Sequence, residues 1–367
     1  MKIQVKTKAL RDAMQIPAGV VPSQTLKPIL ENVRINVSKS GTEILATDLE
    51  VAVRCTVEES AVKQEGSVVV PAKELYSILQ ESANEEDVVL SSEEQGCRLV
   101  WSDSEFVLPA ADPADFPEIQ QFDEKEYFEL KADVLQEMIA KTAFAVSKER
   151  TRYALNGVLF ILREDGAEMV ATDGHRMAYV RKRMKHPKGT EKQALLSQKA
   201  LEELRRAITS EDKTVRVNVR ENDVVFSVKR STVSTRVIEG HFPDFRSVIP
   251  TDNDKKVDLP LKDIVSAVRR AALMTTPETM AVRMELNKGG MQVYARSPEK
   301  GEARVRLSVG YEGDKIDIGF NPMYLLDMFK VVTDEKVRIE LRDSERPGLL
   351  RAGTDYQYVV MPVTTVT

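Results

Sequence analysis

The feature that most constrains this chain is a repeat about a third of its own length. Residues 8–14, 131–139 and 262–268 place apolar side chains three and four positions apart, the period of an amphipathic helix. Their matching residues Leu10, Leu135 and Ile264 are separated by 125 and 129 positions. Ala46-Thr47-Asp48 returns as Ala171-Thr172-Asp173 after 125 positions, and Phe116-Pro117 returns as Phe242-Pro243 after 126. Independent markers with one offset point to three copied domains, a period too long for a solenoid.

A shorter echo lies inside each third. Residues 8–15 resemble residues 73–80, Leu135 is matched by Leu201, and Ile264 by Leu325. Two helices per third, six in all, are predicted. Residues 215–220, 224–228, 305–309 and 337–341 alternate apolar and polar, as antiparallel strands with one buried face do. Turn residues at 39–41, 164–166, 221–223 and 288–290 separate such runs. The fold class is therefore α+β: three tandem homologous domains, each with two helices packed on antiparallel sheet. Polar stretches at 120–126 and 251–256 put the domains at 1–122, 127–250 and 255–367.

A chain of 367 residues suits two or three domains, and 42% apolar residues are enough to fill their interiors. The start, Met1-Lys2-Ile3-Gln4-Val5, alternates like a strand and lacks the apolar run of a signal peptide. No stretch approaches the ~18 apolar residues of a membrane span. Cys55 and Cys97 have neither metal-ligand spacing nor a disulfide framework; buried free thiols in a cytoplasmic protein are expected. The net charge of −5 argues against gripping nucleic acid by bulk electrostatics, so the placement of the basic residues matters more than their sum. The helical segments carry Lys8, Arg11, Lys73, Lys131, Lys199, Arg205, Arg206, Lys262, Arg269, Arg270 and Lys330, a cationic set within an acidic chain.

Little in the sequence supports catalysis. The three histidines are His175, His186 and His241, and no placed serine or cysteine nucleophile accompanies Asp173 and His175. Phosphate-cradling glycine loops, zinc helices and calcium loops are missing, and Asp252 and Asp254 sit in a polar linker. Neither a catalytic residue, a metal nor a cofactor is predicted.

Four strings occur in order along the chain: Arg152-Tyr153-Ala154-Leu155-Asn156-Gly157, Ala171-Thr172-Asp173-Gly174-His175-Arg176-Met177-Ala178, Glu239-Gly240-His241-Phe242-Pro243-Asp244-Phe245 and Tyr358-Val359-Val360-Met361-Pro362. With the triplication, these strings make the chain similar end to end to the beta sliding clamps of bacterial DNA polymerase III. The resemblance implies a head-to-tail homodimer closing into a six-domain ring, a heterologous contact that shuts on itself. Twelve helices spaced about 10 Å apart would leave a hole about 28 Å wide, room for hydrated duplex DNA. Such a ring is a processivity factor acting in the cytoplasm at the nucleoid. Its partners are duplex DNA, held without sequence preference, and the polymerase, clamp-loader and repair proteins that dock short linear motifs.

Carried over position by position, the docking groove comprises Leu155, Thr172, Gly174, His175, Arg176, Met177, Pro243, Val248, Val359 and Met361. A shallower extension uses Arg152, Asn321, Tyr324, Pro347, Pro362 and Val363. Aliphatic walls would take an apolar anchor while Arg176 fixes the peptide. His175 as a hydrogen-bonded structural residue, and Met177 as ordinary core, stay open as alternatives. The resemblance places DNA contacts at Lys148, Arg150, Arg152 and Tyr153, and on the helices at Lys73, Lys199, Arg205 and Arg269. Gln24 stands where relatives carry arginine, with Lys27 close enough to substitute. At the dimer seam Phe106 and Leu108 would pack against Ala272 and Leu273 of the other copy, near Lys73, Glu299 and Glu302. A buried core role for Phe106 is the alternative there.

Overall fold

The computed structural model describes residues 1–84, 86–94, 96–149, 153–277 and 280–363, Tyr153 in its backbone alone. The described residues form six α-helices: α1 (Thr7–Val20), α2 (Ala72–Glu81), α3 (Ala132–Thr142), α4 (Gln198–Ala207), α5 (Leu261–Ala272) and α6 (Pro322–Val331). The repeat thus gives the helices it predicted, two per third. Each helix starts where a strand stops, and three of them are capped in the same unusual way. The first N–H of α1, α3 and α5 donates to a loop carbonyl, from Glu86, Lys213 and Glu335 respectively. A backbone acceptor thereby satisfies a donor that a Ser or Asp side chain would ordinarily take. α6 is capped conventionally, by the Asn321 side chain and Pro322.

After each helix come three antiparallel strands, and the third of them makes the long-range joins. The chain divides into two compact units, residues 1–136 with 199–237, and 137–198 with 238–367. In the first unit the third strand after α1, Val51–Val57, pairs with the third after α4, Ser231–Arg236, with Val53 opposite Val233. The result is an eight-stranded sheet. In the second unit the third strand after α3, Arg176–Arg183, pairs with the third after α6, Tyr356–Val360, with Met177 opposite Val359. Again eight strands result. Among the described residues the third strands after α2 and α5, Glu105–Leu108 and Gly301–Ser308, pair on one side only and form edges of the remaining five- and four-stranded sheets.

Period-two burial fills the interiors. Val33, Ile35 and Val37 point inward from Asn32–Ser38, and Val337, Ile339 and Leu341 from Lys336–Leu341. Cys55 and Cys97 are free and buried, and burial pushes their thiols up to about 11 and about 12. No described helix is long and apolar enough to cross a membrane.

Two local expectations change. Lys131 closes the strand Phe128–Lys131 instead of opening a helix, because Leu130 is drawn inward at strand spacing. Lys255 and Lys256 begin the strand Lys255–Pro260, whose Val257 and Leu259 are buried. The 120–126 stretch is held by hydrogen bonds and ring contacts within the first unit. Buried Asn218 accepts from the Asp123 N–H and donates to the Asp123 and Glu126 carbonyls, while Arg216 lies over the rings of Phe122 and Tyr127.

Candidate functional site

The second unit holds an apolar cavity of about 210 Å³ at the N-terminal end of strand Arg176–Arg183. The turn that shapes it is determined locally. Asp173 accepts from the N–H groups of His175 and Arg176 at 2.9 and 3.0 Å. Thr172 Oγ1 accepts from Gly174 N–H and donates to the Arg176 carbonyl. Gly174 takes φ = +90°, a conformation that side chains with a Cβ rarely adopt. The Met361 N–H donates to the His175 carbonyl, which ties the turn to the C-terminal strand.

Leu155, Thr172, Gly174, His175, Arg176, Met177, Pro243, Val248, Pro347, Val359 and Met361 all line this cavity, together with Asp244 and Phe245, which sequence reasoning passed over. Phe245 stands two residues beyond Pro243 in a string already singled out. Beneath the cavity Leu159, Ile161, Val170, Met177, Tyr179, Leu195, Phe245, Leu349 and Val359 form one buried cluster. Met177 is therefore both core and wall. Val248 and Met361 keep about half their surface exposed at the rim, at 53% and 42%. Removing such apolar surface from water favours any apolar side chain that enters.

Asn321, Tyr324, Pro362 and Val363 do not line the cavity. Asn321 caps α6, the Val363 N–H donates to the Gly319 carbonyl, Pro362 is half-buried, and Tyr324 stacks on exposed His175 with ring centroids 6.4 Å apart. Arg152 lies outside the described residues. Arg176 also departs from expectation, because its guanidinium is spent inside the protein. It donates to Asp173 at 3.0 Å, Asp327 at 2.8 Å and the Phe144 carbonyl at 3.1 Å, and lies 4.5 Å over the Tyr324 ring. Burial works against this charge, but Tyr358, Asp327 and Asp173 outweigh it and hold the pKa above the usual arginine value. Arg176 thus builds part of the wall of a cavity whose lining is otherwise mostly apolar.

With this geometry in view, comparison with known proteins is decisive. The sequence matches the DNA polymerase III beta subunit along nearly its whole length: N-terminal domain at residues 1–120, central domain at 129–244 and C-terminal domain at 246–364. The chain belongs to the DNA polymerase III beta subunit family. It is 31% identical to the beta sliding clamp of Pseudomonas putida over 99% of this chain and 100% of that one. The crystal structure of the Bacillus subtilis sliding clamp superposes with a TM-score of 0.95 at 26% identity, covering 100% of this chain and 99% of that one. A Pseudomonas aeruginosa clamp bound to griselimycin gives 0.94 at 30%, with full coverage of both chains.

In this chain the turn at the cavity is built twice. In the first unit Asp48 accepts from Glu50 and Val51 N–H, Thr47 Oγ1 accepts from Leu49 N–H and donates to the Val51 carbonyl, and the Arg236 N–H donates to the Glu50 carbonyl. Each bond has its counterpart 125 residues later. Here, however, Leu49 occupies the glycine position at φ = +77°, and Glu50 and Arg236 replace His175 and Met361. The adjoining cavity, about 170 Å³, is accordingly polar, with Glu50, Glu118, Asp223 and Arg236 among its lining residues.

The expected DNA contacts separate into exposed and engaged cations. Lys27, Lys73, Lys148, Arg205 and Arg269 are exposed, as is Gln24, and these cations make no ion pair among the described residues. Lys199 is a correction. Its ammonium binds the Asp48 carboxylate at 2.6 Å and the Val20 carbonyl at 2.9 Å, so it fastens α4 to the end of α1. Arg150 lies outside the described residues, as does the Tyr153 side chain.

Of the expected seam residues, Phe106 is 38% exposed and Leu273 66% exposed, which removes the core reading of Phe106. Leu108 is buried in its own sheet, with its backbone opposite Cys97, and so is not free for a partner. Ala272 ends α5 half-buried; Lys73, Glu299 and Glu302 are exposed, with Glu302 paired to Arg304.

Proposed function

We propose that two copies of this chain close a ring around duplex DNA and hold DNA polymerase III on its template, recruiting partners through the cavity beside Gly174. The protein is a processivity factor and an accessory subunit, not an enzyme. The observation that carries the ring is the rule by which the sheets join. Within the chain, third strands pair twice across homologous domains, and two third strands, Glu105–Leu108 and Gly301–Ser308, stay unpaired on one side. A second copy supplies the matching edge for each, and repeating the same join twice more between copies closes the assembly. The exposed side chains Phe106, Val107 and Leu273 are the apolar surface such a seam would cover.

Inside such a ring topology supplies retention, so the cations need only weak, register-free phosphate contacts. Exposed Lys27, Lys73, Lys148, Arg205 and Arg269 suit that role. The protein would act in the cytoplasm at the nucleoid. Its cavity takes a short extended segment carrying an apolar anchor, contributed by polymerase, clamp loader or repair protein, and Pro347, Asp244 and Phe245 belong to its wall.

The test combines size and topology. The chain should sediment at about twice its 41.2 kDa. Placed by a clamp loader on nicked circular DNA, it should stay bound at high salt and leave when the circle is cut. Equal retention on linear DNA would overturn the ring. Met361→Lys should abolish binding of a short apolar linear peptide while leaving the dimer intact; loss of the dimer instead would relocate the C-terminal strand to the seam.

A further inference from the structure

Residues 181–188 hold five cations and no carboxylate, in a chain whose net charge is −5. They run from the end of strand Arg176–Arg183 into an ordered loop. The Met184 and His186 N–H groups donate to the Asp165 and Glu164 carbonyls, the Gly189 N–H to the Glu164 carboxylate, and Thr190 closes a turn on Pro187. The loop is therefore fastened to the neighbouring hairpin and presents its charges from a fixed base.

Strand alternation divides these charges between two faces. Lys182 points to one side, where Glu137 and Asp355 neutralise it. Arg181 points to the other, as does Arg163, and with Arg246 they surround Glu168, a single buried carboxylate, at 3.9, 3.7 and 2.6 Å. Asp165 and Glu191 take one further contact each, from Arg181 and Arg163. Asp165, Glu168 and Glu191 are thus paired with arginines and the Glu164 carboxylate holds the Gly189 N–H, while Arg183, Lys185 and Lys188 remain exposed without an ion pair among the described residues.

We propose that this sheet end is a second nucleic-acid contact, which takes the sugar–phosphate backbone of a single strand outside the ring. Three features select the occupant. The 181–188 segment offers no large exposed apolar or aromatic side chain, so a protein ligand lacks an anchor and a base lacks a stacking platform. Cations fixed at the end of a sheet suit a repeating phosphate read without sequence preference. The site is separate from the apolar cavity, since seven residues of strand, about 23 Å, divide Arg183 from Arg176. That the strand is DNA rests on the polymerase-subunit reading above, because template synthesis always leaves single strand next to duplex.

The experiment uses the intact dimer, no clamp loader, and a covalently closed single-stranded DNA minicircle, which cannot thread a closed ring. Fluorescence anisotropy at low salt should show binding whose log–log salt slope is about −2, from three phosphates at about −0.7 each. Arg183→Gln/Lys185→Gln/Lys188→Gln, all surface changes, should weaken binding at least tenfold and nearly flatten the slope. Unchanged binding by this variant, or none by the wild type, overturns the proposal. Displacement by polyglutamate as efficient as by oligonucleotide at equal charge would also overturn it, by assigning the face to an acidic protein. Loader-dependent retention on nicked plasmid should be the same for wild type and variant. Loss in the variant alone would place these cations at the central duplex and overturn a separate site, whereas loss in the wild type would strike the ring reading itself.

Discussion

Arg176 and Asp327 meet at 2.8 Å, and through that contact the turn around Gly174 is fastened to helix α6. Asp327 serves two cations, since Lys330 reaches it at 3.1 Å one helical turn on. Burial would raise the Asp327 carboxyl, but hydrogen bonds from Arg176 and Lys330 hold it below the usual range. Arg176→Met keeps the bulk and removes the charge, leaving Asp173 and Asp327 without their shared cation. A loss of about 3 kcal/mol of stability is expected, because breaking a mostly buried pair strands the survivor. Adding Asp327→Asn should restore part of it, with a coupling of about 1–3 kcal/mol in the double-mutant cycle. Chemical denaturation followed by circular dichroism measures both, and simple additivity would show that the pair is idle.

The duplicated turn makes a second prediction, one in which substitution ranks invert. Leu49 holds φ = +77° where Gly174 holds +90°. A side chain in that region costs about 1–2 kcal/mol. Leu49→Ala loses apolar contact and keeps the strain, while Leu49→Gly loses the contact and releases it, so the glycine variant should be more stable than the alanine variant by about 1 kcal/mol. At the other copy Gly174→Ala should cost about the same amount and weaken binding of an apolar peptide in the adjoining cavity. Melting temperatures of the three variants at one protein concentration decide this; alanine ranking above glycine at position 49 would mean that the turn relaxes.

A third prediction concerns acid. Glu203 is buried on α4, its Oε2 has no hydrogen-bond partner among the described residues, and burial raises its carboxyl above the usual 4.5, with Arg206 offsetting only part. A raised carboxyl favours the protonated folded state. Its cost is therefore present in full above the folded pKa and is relieved as pH falls from there towards 4.5. Asp327 behaves oppositely: its contribution holds above 3.8 and is lost as pH falls through its depressed value. Glu203→Gln should accordingly be more stable than wild type at pH 7, by about 1 kcal/mol, with the gap closing near pH 4. A constant gap across that range would show that Glu203 is not the titrating group.

These residues also show how far the sequence could be read. Six helices and the alternating strands between them were legible because each rests on local periodicity or on a repeat that doubles the evidence. Leu155 and Met361 were reached through resemblance, since nothing local brings residues about two hundred positions apart to one cavity. What escaped was the pairing of charges. Lys199 and Arg176 look like any exposed cations in sequence, and only the packing of α4 beside Asp48 and of α6 beside Asp173 commits them internally. Leu108 escaped for a related reason, because in a four-residue edge strand a one-residue change of face decides between core and seam.

The last prediction tests that edge. Leu273 follows α5 and is 66% exposed, and it is not among the residues that line the cavity. Leu273→Asp should thus leave the isolated chain as stable as before, because an exposed position gains little from an apolar side chain. In a dimer the same change puts a carboxylate into an apolar seam beside Phe106 and Val107 of the other copy, and a desolvated charge without a partner is expensive. A central apolar contact is worth about 2–3 kcal/mol, so the dissociation constant should rise roughly a hundredfold. Sedimentation at micromolar concentration should then show monomer, with an unchanged circular dichroism spectrum and unchanged binding of an apolar peptide. Phe106→Asp should do the same from the opposite edge. A Leu273→Asp protein that remains dimeric would mean that copies join through other surfaces than Glu105–Leu108 and Gly301–Ser308.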